Sequence, residues 1–310
     1  MNPPTALEPG FLELARRGKN AWWRYLLSAL LMLFLLLAGS LAAAVALLVG
    51  QLFTSGFFPK SIAGGNPMDR FDPLLLVTVT LLSFLPLLAG LLLSVRFIHG
   101  RSITSLITPL ARVDWKRIAI GCLVFGVLVG LADFVEALLH PGRYQLTFAP
   151  IESLKFLPVV LVLVPIQAAT EELLFRGYLM QSLGLLTRRT WVPVLASSLL
   201  FMLLHFSNPE AQVDTVLALA GYGVAGLLFA LVAIKDNQLE LAIGMHIANN
   251  VFVLLANNAT SSLPVPAIFT VTTLDAPYGL ISLVVMGLIF YAGLAWVKRR
   301  HRPDQVEPVV

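Results

Sequence analysis

Three charged residues interrupt an otherwise apolar segment of the chain. Glu171 and Glu172 are adjacent, and Arg176 follows four residues after the second glutamate. An ionisable group inside a bilayer costs at least about 2.5 kcal/mol, so such groups are rare there unless they are paired or functional. Two further apolar segments contribute histidines, His205 and His246. Because carboxylates and imidazoles are the usual proton carriers in catalysis, these residue types favour a catalytic site within a membrane.

Helical spacing separates the roles of the two glutamates. Glu172 and Arg176 are four residues apart, with the acid first, and therefore share one face of a helix. We predict an internal ion pair between them. Glu171 is rotated by about 100° from Glu172, so it faces a different surface. A carboxylate in apolar surroundings can carry a proton near neutral pH. We predict that Glu171 is catalytic.

The histidines are weaker signals when each is taken alone. His246 and Asn250 are four residues apart and lie on one face of their helix, where Asn249 is an adjacent alternative. Hydrogen bonds between helices would also explain this pair, because membrane bundles use such bonds routinely. His205 ends its apolar segment, a position at which a histidine is more often structural.

Composition indicates an all-α, polytopic membrane protein. The chain has 310 residues, of which 58% are hydrophobic and only 12% charged, and its mean hydropathy is +0.85. Soluble domains contain roughly 25% charged residues. Long apolar runs predict about eight transmembrane helices in one bundle. The predicted spans are 24–50, 73–98, 117–139, 156–182, 191–207, 216–234, 239–257 and 276–297.

The distribution of basic residues predicts the orientation. Of the 21 lysines and arginines, 16 fall in segments on one side of the predicted bundle. The positive-inside rule places that side in the cytoplasm. We therefore predict a cytoplasmic N-terminal segment over 1–23, an eight-helix membrane domain over 24–297 and a cytoplasmic tail over 298–310. Both termini are then cytoplasmic, and the short loops favour a prokaryotic cell membrane.

The same observations exclude several classes of protein. The net charge of +4 follows from the topology, and no stretch alternates basic and aromatic residues, so lipid and not nucleic acid is the expected partner. Cys122 is the single cysteine, which excludes a disulfide framework and a cysteine zinc site. A serine rhomboid would need Gly-x-Ser-Gly, and Ser40 lacks that context. Asp133 likewise lacks the Gly-x-Gly-Asp context of an aspartyl intramembrane protease.

Three motifs in a fixed order carry a resemblance to a known family. Glu-Glu-x-x-x-Arg, Phe-x-x-x-His and His-x-x-x-Asn lie on three separate predicted helices. In this order they resemble the CPBP family of CAAX proteases and bacteriocin-processing enzymes, also called Abi, which includes the type II CAAX prenyl endopeptidase. The resemblance covers about 155–257. The matching positions are Glu171, Glu172, Arg176, Phe201, His205, His246 and Asn250.

The resemblance implies hydrolysis of a peptide bond near the cytoplasmic side of the membrane. Glu171, helped by His205, would deprotonate a water that attacks the scissile carbonyl. His246 and Asn250 would donate hydrogen bonds to the developing oxyanion. Glu172 and Arg176 would support the helix that carries Glu171.

A zinc-dependent mechanism is the alternative for the same residues. Glu171, His205 and His246 would then bind Zn²⁺, which would activate the water. The metal-free mechanism is favoured and no cofactor is expected, because neither histidine lies in a His-Glu-x-x-His sequence.

Other functions also fit buried carboxylates and histidines. A proton-coupled transporter would use them, but it usually shows paired repeats with broken helices, which are not evident here. A non-catalytic membrane scaffold or bacteriocin-immunity factor would need no activated water. The expected substrate is a peptide or protein, for which an isoprenylated CAAX terminus is the family precedent.

Depth in the membrane tests whether these residues can meet. At about 1.5 Å per residue, Glu171 lies about 16 Å from the inner end of its predicted helix. The corresponding values are about 10 Å for His246 and about 21 Å for His205. The three depths agree only if the fifth helix starts late, tilts, or lies beside a deep aqueous cavity.

Overall fold

The fold is almost entirely helical. The computed structural model describes residues 10–55, 71–208, 211–212, 214–255, 264–273 and 275–300. The α-helices, numbered in chain order, are α1 (Trp22–Ser55), α2 (Pro73–Leu82), α3 (Phe84–Leu93), α4 (Trp115–Leu139), α5 (Pro150–Glu172), α6 (Gln181–Gly184), α7 (Trp191–Leu204), α8 (Thr215–Asp236), α9 (Glu240–Leu255) and α10 (Ala276–Arg300). Short 3₁₀ helices cover Phe11–Arg17 and Ile103–Leu106, and π-helical segments cover Ser94–Ile98 and Leu173–Met180.

The predicted class, an all-α polytopic membrane protein, is confirmed. Among the described residues, six helices are long and apolar enough to cross a bilayer. Two of them are composite, since α2, α3 and a π-helical segment form one run, and α5, a second π-helical segment and α6 form another. The helices α7 and α9 match predicted spans but have only 14 and 16 residues. Helix length therefore supports six crossings, and the prediction of eight is not confirmed.

The domain prediction extends beyond the described residues. Residues 1–9 of the predicted N-terminal segment, 301–310 of the predicted tail and 256–257 at the end of the motif region lie outside them. The cytoplasmic location of both termini remains a prediction. The end of the bundle that carries Trp22, His99 and Trp115 is called the inner end here.

Helix α9 is the central element, because it packs against α4, α5 and α8. Its contact with α4 is a close backbone approach that depends on small residues. A Cβ atom added to Gly244 would collide with Ile118 O and would lie 2.6 Å from Cys122 N. Small residues allow such approaches between membrane helices. This packing fixes the height and rotation of α9, which carries His246.

A buried polar cluster lies at the inner end, beneath the π-helical segment Leu173–Met180. Arg101 is only 4% exposed. Its guanidinium donates to Gly177 O at 3.3 Å and to Gln181 Oε1 at 3.0 Å. Burial lowers the pKa of Arg101 to about 10, so the group is still protonated at neutral pH. His99 Nδ1 donates to Lys19 O over 2.9 Å. These contacts tie the inner loops to the helix that carries both glutamates.

The outer end is joined by a small sheet and an ion-pair cluster. Strands β1 (Tyr144–Leu146) and β2 (Phe269–Val271) pair antiparallel. Arg143 lies between Glu136 and Asp275, with Nη1 at 2.7 and 2.9 Å from their carboxylates. Ligand atoms of Glu136, His140 and Asp275 lie within 4.8 Å of one another, but Arg143 already supplies the positive charge there. The cluster is a structural clamp between α4 and α10.

Candidate active site

The first part of the site is the buried ion pair that was predicted from helical spacing. Glu172 Oε1 accepts a hydrogen bond from Arg176 Nη1 at 2.8 Å, and both side chains are 0% exposed. Arg176 Nη2 also donates to Gly226 O on α8, at 2.8 Å. The guanidinium lies over the rings of Phe201 and Phe229. Arg176 thus joins α5 to α7 and α8.

His246 on α9 contacts both glutamates. Its Nδ1 lies 2.8 Å from Glu172 Oε1, and its Nε2 lies 3.5 Å from Glu171 Oε2. The ring stacks on Phe229 with centroids 5.0 Å apart. Because an ionised carboxylate only accepts hydrogen bonds, Nδ1 must donate to Glu172. A proton on Nε2 then makes the ring a cation.

Charge balance constrains the protonation of this buried group. Two carboxylates, Glu171 and Glu172, face the guanidinium of Arg176 and the imidazole of His246. Burying net charge is costly, so a neutral assembly is favoured. With a proton on each ring nitrogen of His246, the two cations offset the two carboxylates.

Three buried polar atoms of the same group have no hydrogen-bond partner among the described residues. They are Glu171 Oε2, Glu172 Oε2 and Arg176 Nε. Buried polar atoms in proteins normally bond to protein or to ordered water. Glu171 Oε2 faces the imidazole of His246 and has no hydrogen-bond donor among the described residues, which leaves a lone pair for water.

Gln167 links Glu171 to Asn250, and sequence reasoning missed it. Its Nε2 donates to Glu171 Oε1 at 2.7 Å, and its Oε1 accepts from Asn250 Nδ2 at 2.8 Å. Asn249, which was the local alternative to Asn250, donates to Asn250 Oδ1 at 3.2 Å. The sequence feature that could have identified it is the position of Gln167, a polar amide one helical turn before Glu171 in an otherwise apolar segment. Glu171, Glu172, Arg176, His246 and Asn250 thus lie in one connected network.

His205 lies beside this network without bonding to it directly. Its Nδ1 donates to Phe201 O at 2.7 Å, and its ring stacks on Tyr222 with centroids 4.2 Å apart. The Phe201 ring separates the two histidines, with its centroid 4.4 Å from His205 and 6.0 Å from His246. Within the described part of the chain no hydrogen bond reaches Nε2 of His205, which leaves this nitrogen for a substrate or a water.

The proposed zinc ligands do not fit one metal ion in this arrangement. Ligand atoms about 2.1 Å from a tetrahedral zinc lie about 3.4 Å from one another. Among the described residues, one set of three potential ligands has its ligand atoms within 4.8 Å of one another. That set is Glu136, His140 and Asp275 at the outer end, far along the chain from the proposed zinc ligands. Glu171 and His246 come close enough to each other, but His205 does not complete the set.

The observed helix ends give new values for the distances of the site residues from the inner ends of their helices. The composite helix Pro150–Gly184 extends past the predicted end, which places Glu171 about 20 Å from its inner terminus along the helix. His205, directly after α7, lies about 21 Å from Trp191. Glu240, at the start of α9, is 0% exposed, so α9 begins inside the protein beneath Asp114, whose N–H bonds to Glu240 at 3.3 Å. His246 lies about 9 Å along α9 from Glu240, so the three distances still differ, and a tilt or a deep aqueous cavity remains the expectation.

The fold and the network define a polytopic helical membrane protein with a buried carboxylate–imidazole site. Residues 153–252 match the sequence model of a family described as type II CAAX prenyl endopeptidase Rce1-like. The uncharacterized protein YyaK of Bacillus subtilis (strain 168) is 31% identical over 292 residues, which cover 93% of this chain and 96% of that protein. No solved structure gives a significant match. The chain belongs to the CPBP family of membrane-embedded CAAX-type proteases.

Proposed function

We propose that the chain is an intramembrane endopeptidase that hydrolyses a peptide bond with a water activated by Glu171. The main support is the buried contact between Glu171 Oε2 and His246 Nε2, which are 3.5 Å apart. Asn250 is joined to the same carboxylate through Gln167. A proton acceptor and two hydrogen-bond donors therefore converge on one small region, as acyl hydrolysis requires.

The contacts of Glu171, His246 and Asn250 suggest a role for each of them in the proposed reaction. Glu171 Oε2 accepts a proton from water while the water oxygen bonds to the carbonyl carbon. The negative charge that forms on the carbonyl oxygen accepts hydrogen bonds from His246 Nε2 and Asn250 Nδ2. The carbon–nitrogen bond then breaks, and the proton held by Glu171 moves to the leaving amine. The products are a carboxylic acid and an amine.

Glu172 and Arg176 support this reaction indirectly. Because His246 Nδ1 donates to Glu172, its Nε2 can donate to the oxyanion only when the imidazole is protonated. The carboxylate of Glu172 stabilises that imidazolium, and Arg176 holds Glu172 in place. We propose that His205, which bonds to Phe201 O, acts through its Nε2 on the water or the substrate.

The proposed substrate is a peptide or protein that carries an isoprenyl group near its C-terminus. The support is the family description and the depth of the site. Glu171 lies about 20 Å along the helix from the inner end, a distance that about six extended residues would span at 3.3 Å each. An isoprenyl chain would lie among lipid acyl chains and hold such a short segment inside the bilayer. We propose a prokaryotic cell membrane with both termini cytoplasmic, which agrees with the basic inner segments.

A peptide cleavage assay tests this proposal. Purified protein in lipid vesicles is mixed with a fluorescence-quenched peptide ending in a CAAX sequence, with and without a farnesyl group. We expect faster cleavage of the farnesylated peptide and no cleavage by Glu171→Gln. Equal cleavage of both peptides would reject the lipidated substrate but keep the protease. No turnover of any peptide would favour a non-catalytic scaffold or immunity factor.

A further inference from the structure

The side-chain amide of Gln167 has one defined orientation. Its NH₂ group faces the carboxylate of Glu171, which only accepts hydrogen bonds, and its oxygen faces the NH₂ group of Asn250, which only donates. A flipped amide would place oxygen against oxygen at 2.7 Å and NH₂ against NH₂ at 2.8 Å. Both ends of Gln167 are therefore fixed by residues on two different helices, α5 and α9.

This orientation decides which oxygen of Glu171 is available for chemistry. Oε1 is occupied by Gln167, whereas Oε2 points to His246 and has no hydrogen-bond partner among the described residues. Without the Gln167 donor, the carboxylate could rotate about its last torsion, which is broad and has no single staggered well. The attack on a carbonyl requires reacting atoms within about 3–3.5 Å, so such rotation would lower the rate.

The same amide fixes the second catalytic group. Asn250 Nδ2 uses one hydrogen for Gln167 Oε1, and its Oδ1 accepts from Asn249 Nδ2 at 3.2 Å. Two contacts define the plane of the Asn250 amide. The second hydrogen of Nδ2 then points in one fixed direction, which an oxyanion donor needs.

We infer that Gln167 is a positioning residue that aligns Glu171 and Asn250 with each other, a role that rests on the proposed function. Gln167 does not touch the reacting atoms. It acts by holding the proton acceptor on α5 and the oxyanion donor on α9 at one relative distance and angle. Hydrolysis therefore depends on a glutamine that lies outside all three motifs.

Steady-state kinetics of Gln167→Leu test this role. We expect kcat to fall about 10- to 100-fold with KM changed less than about twofold, because alignment acts on the transition state. Gln181→Leu is the matched control, since Gln181 is a fully buried glutamine on the same composite helix that bonds to Arg101 and Ser105 O. Its kcat per folded molecule should stay near the wild-type value, whatever its melting temperature.

A double-mutant cycle separates positioning from simple stability. Because Gln167 acts through Asn250, the loss in Gln167→Leu/Asn250→Ala should be smaller than the product of the two single losses. A kcat for Gln167→Leu within twofold of wild type, or losses that multiply, would overturn the inference. If Glu171→Gln also cleaves normally, the proposed function itself fails. If Gln167→Leu gives either of these overturning results while wild type cleaves and Glu171→Gln does not, only the role of Gln167 fails, and a wild type without activity overturns both.

Discussion

His246 reaches across the interface of α5 and α9 to Glu172, with Nδ1 2.8 Å from the same Oε1 atom that accepts from Arg176. One fully buried carboxylate oxygen thus accepts hydrogen bonds from two donors on different elements. Removal of Arg176 would leave the buried charge of Glu172 uncompensated, and removal of His246 would leave its oxygen one donor short. The same oxygen of Glu172 therefore takes part both in the packing of the helices, through Arg176, and in the orientation of His246.

Arg176→Met should destabilise the protein strongly. The substitution leaves Glu172 buried beside His246 alone, and breaking a buried ion pair costs about 3–5 kcal/mol. Thermal unfolding followed by circular dichroism in detergent measures the change. The control is Lys155→Met, which breaks the exposed pair with Glu152 and should cost less than about 1 kcal/mol. Equal melting temperatures for the two variants would contradict the buried network.

Gly244→Ala should reduce turnover without touching a catalytic atom. Its Cβ would collide with the α4 backbone at Ile118 and Cys122, so α9 must move and carry His246 away from Glu172. The control is Gly293→Ala on α10, where a Cβ meets nothing within 4 Å and where alanine improves helix propensity. We expect at least about a tenfold lower kcat for Gly244→Ala, because a 1 Å misplacement can cost about 100-fold. Wild-type kcat in Gly244→Ala would contradict this view of the helix interface.

His99 should make stability depend on pH near neutrality. Burial lowers the pKa of His99 below its ordinary value of 6.5, and the charges of Arg101 and Arg24 act in the same direction. The unfolded chain therefore binds more protons just below pH 6.5, so stability falls as pH drops through that value. We expect a smaller decrease in melting temperature between pH 7 and 5 for His99→Gln. Identical pH dependence in both proteins would contradict a buried neutral His99.

Removal of metal ions should leave activity intact. Glu171, His205 and His246 do not gather into one ligand set in this arrangement, and the mechanism that we propose activates the water with Glu171 alone. Dialysis against a strong chelator, followed by the cleavage assay and metal analysis, measures this. Activity that disappears with the chelator and returns with Zn²⁺ would contradict the metal-free mechanism that we propose.

Sequence predicted the helices well because composition dominates in a membrane. Each of the eight predicted spans coincides with a helical segment, although the ends differ. The start of α9 was predicted to within one residue, but its burial was not, because Asp236 and Glu240 look like the polar edge of a membrane, yet both are buried, at 3% and 0% exposure. Contacts from other segments, such as Asp114 N–H to Glu240, replace water there.

Sequence analysis named most of the residues that the structure brings together, but not the contacts between them. Helical spacing identified the Glu172–Arg176 pair, which is a local relationship. The contact of His246 with both glutamates depends on how α9 packs on α5, and sequence spacing carries no information about that packing. Gln167 was missed because a single amide in an apolar helix has many structural explanations.

Cleavage by Glu171→Gln, measured beside wild type and the control Gly293→Ala, tests the central claim most directly. The substitution keeps the size of the side chain but removes the proton acceptor, and general-base groups contribute about 10²- to 10⁴-fold to rate. We predict that turnover falls at least about 100-fold while the melting temperature stays within a few degrees of wild type. Turnover by Glu171→Gln at the wild-type rate would contradict the account.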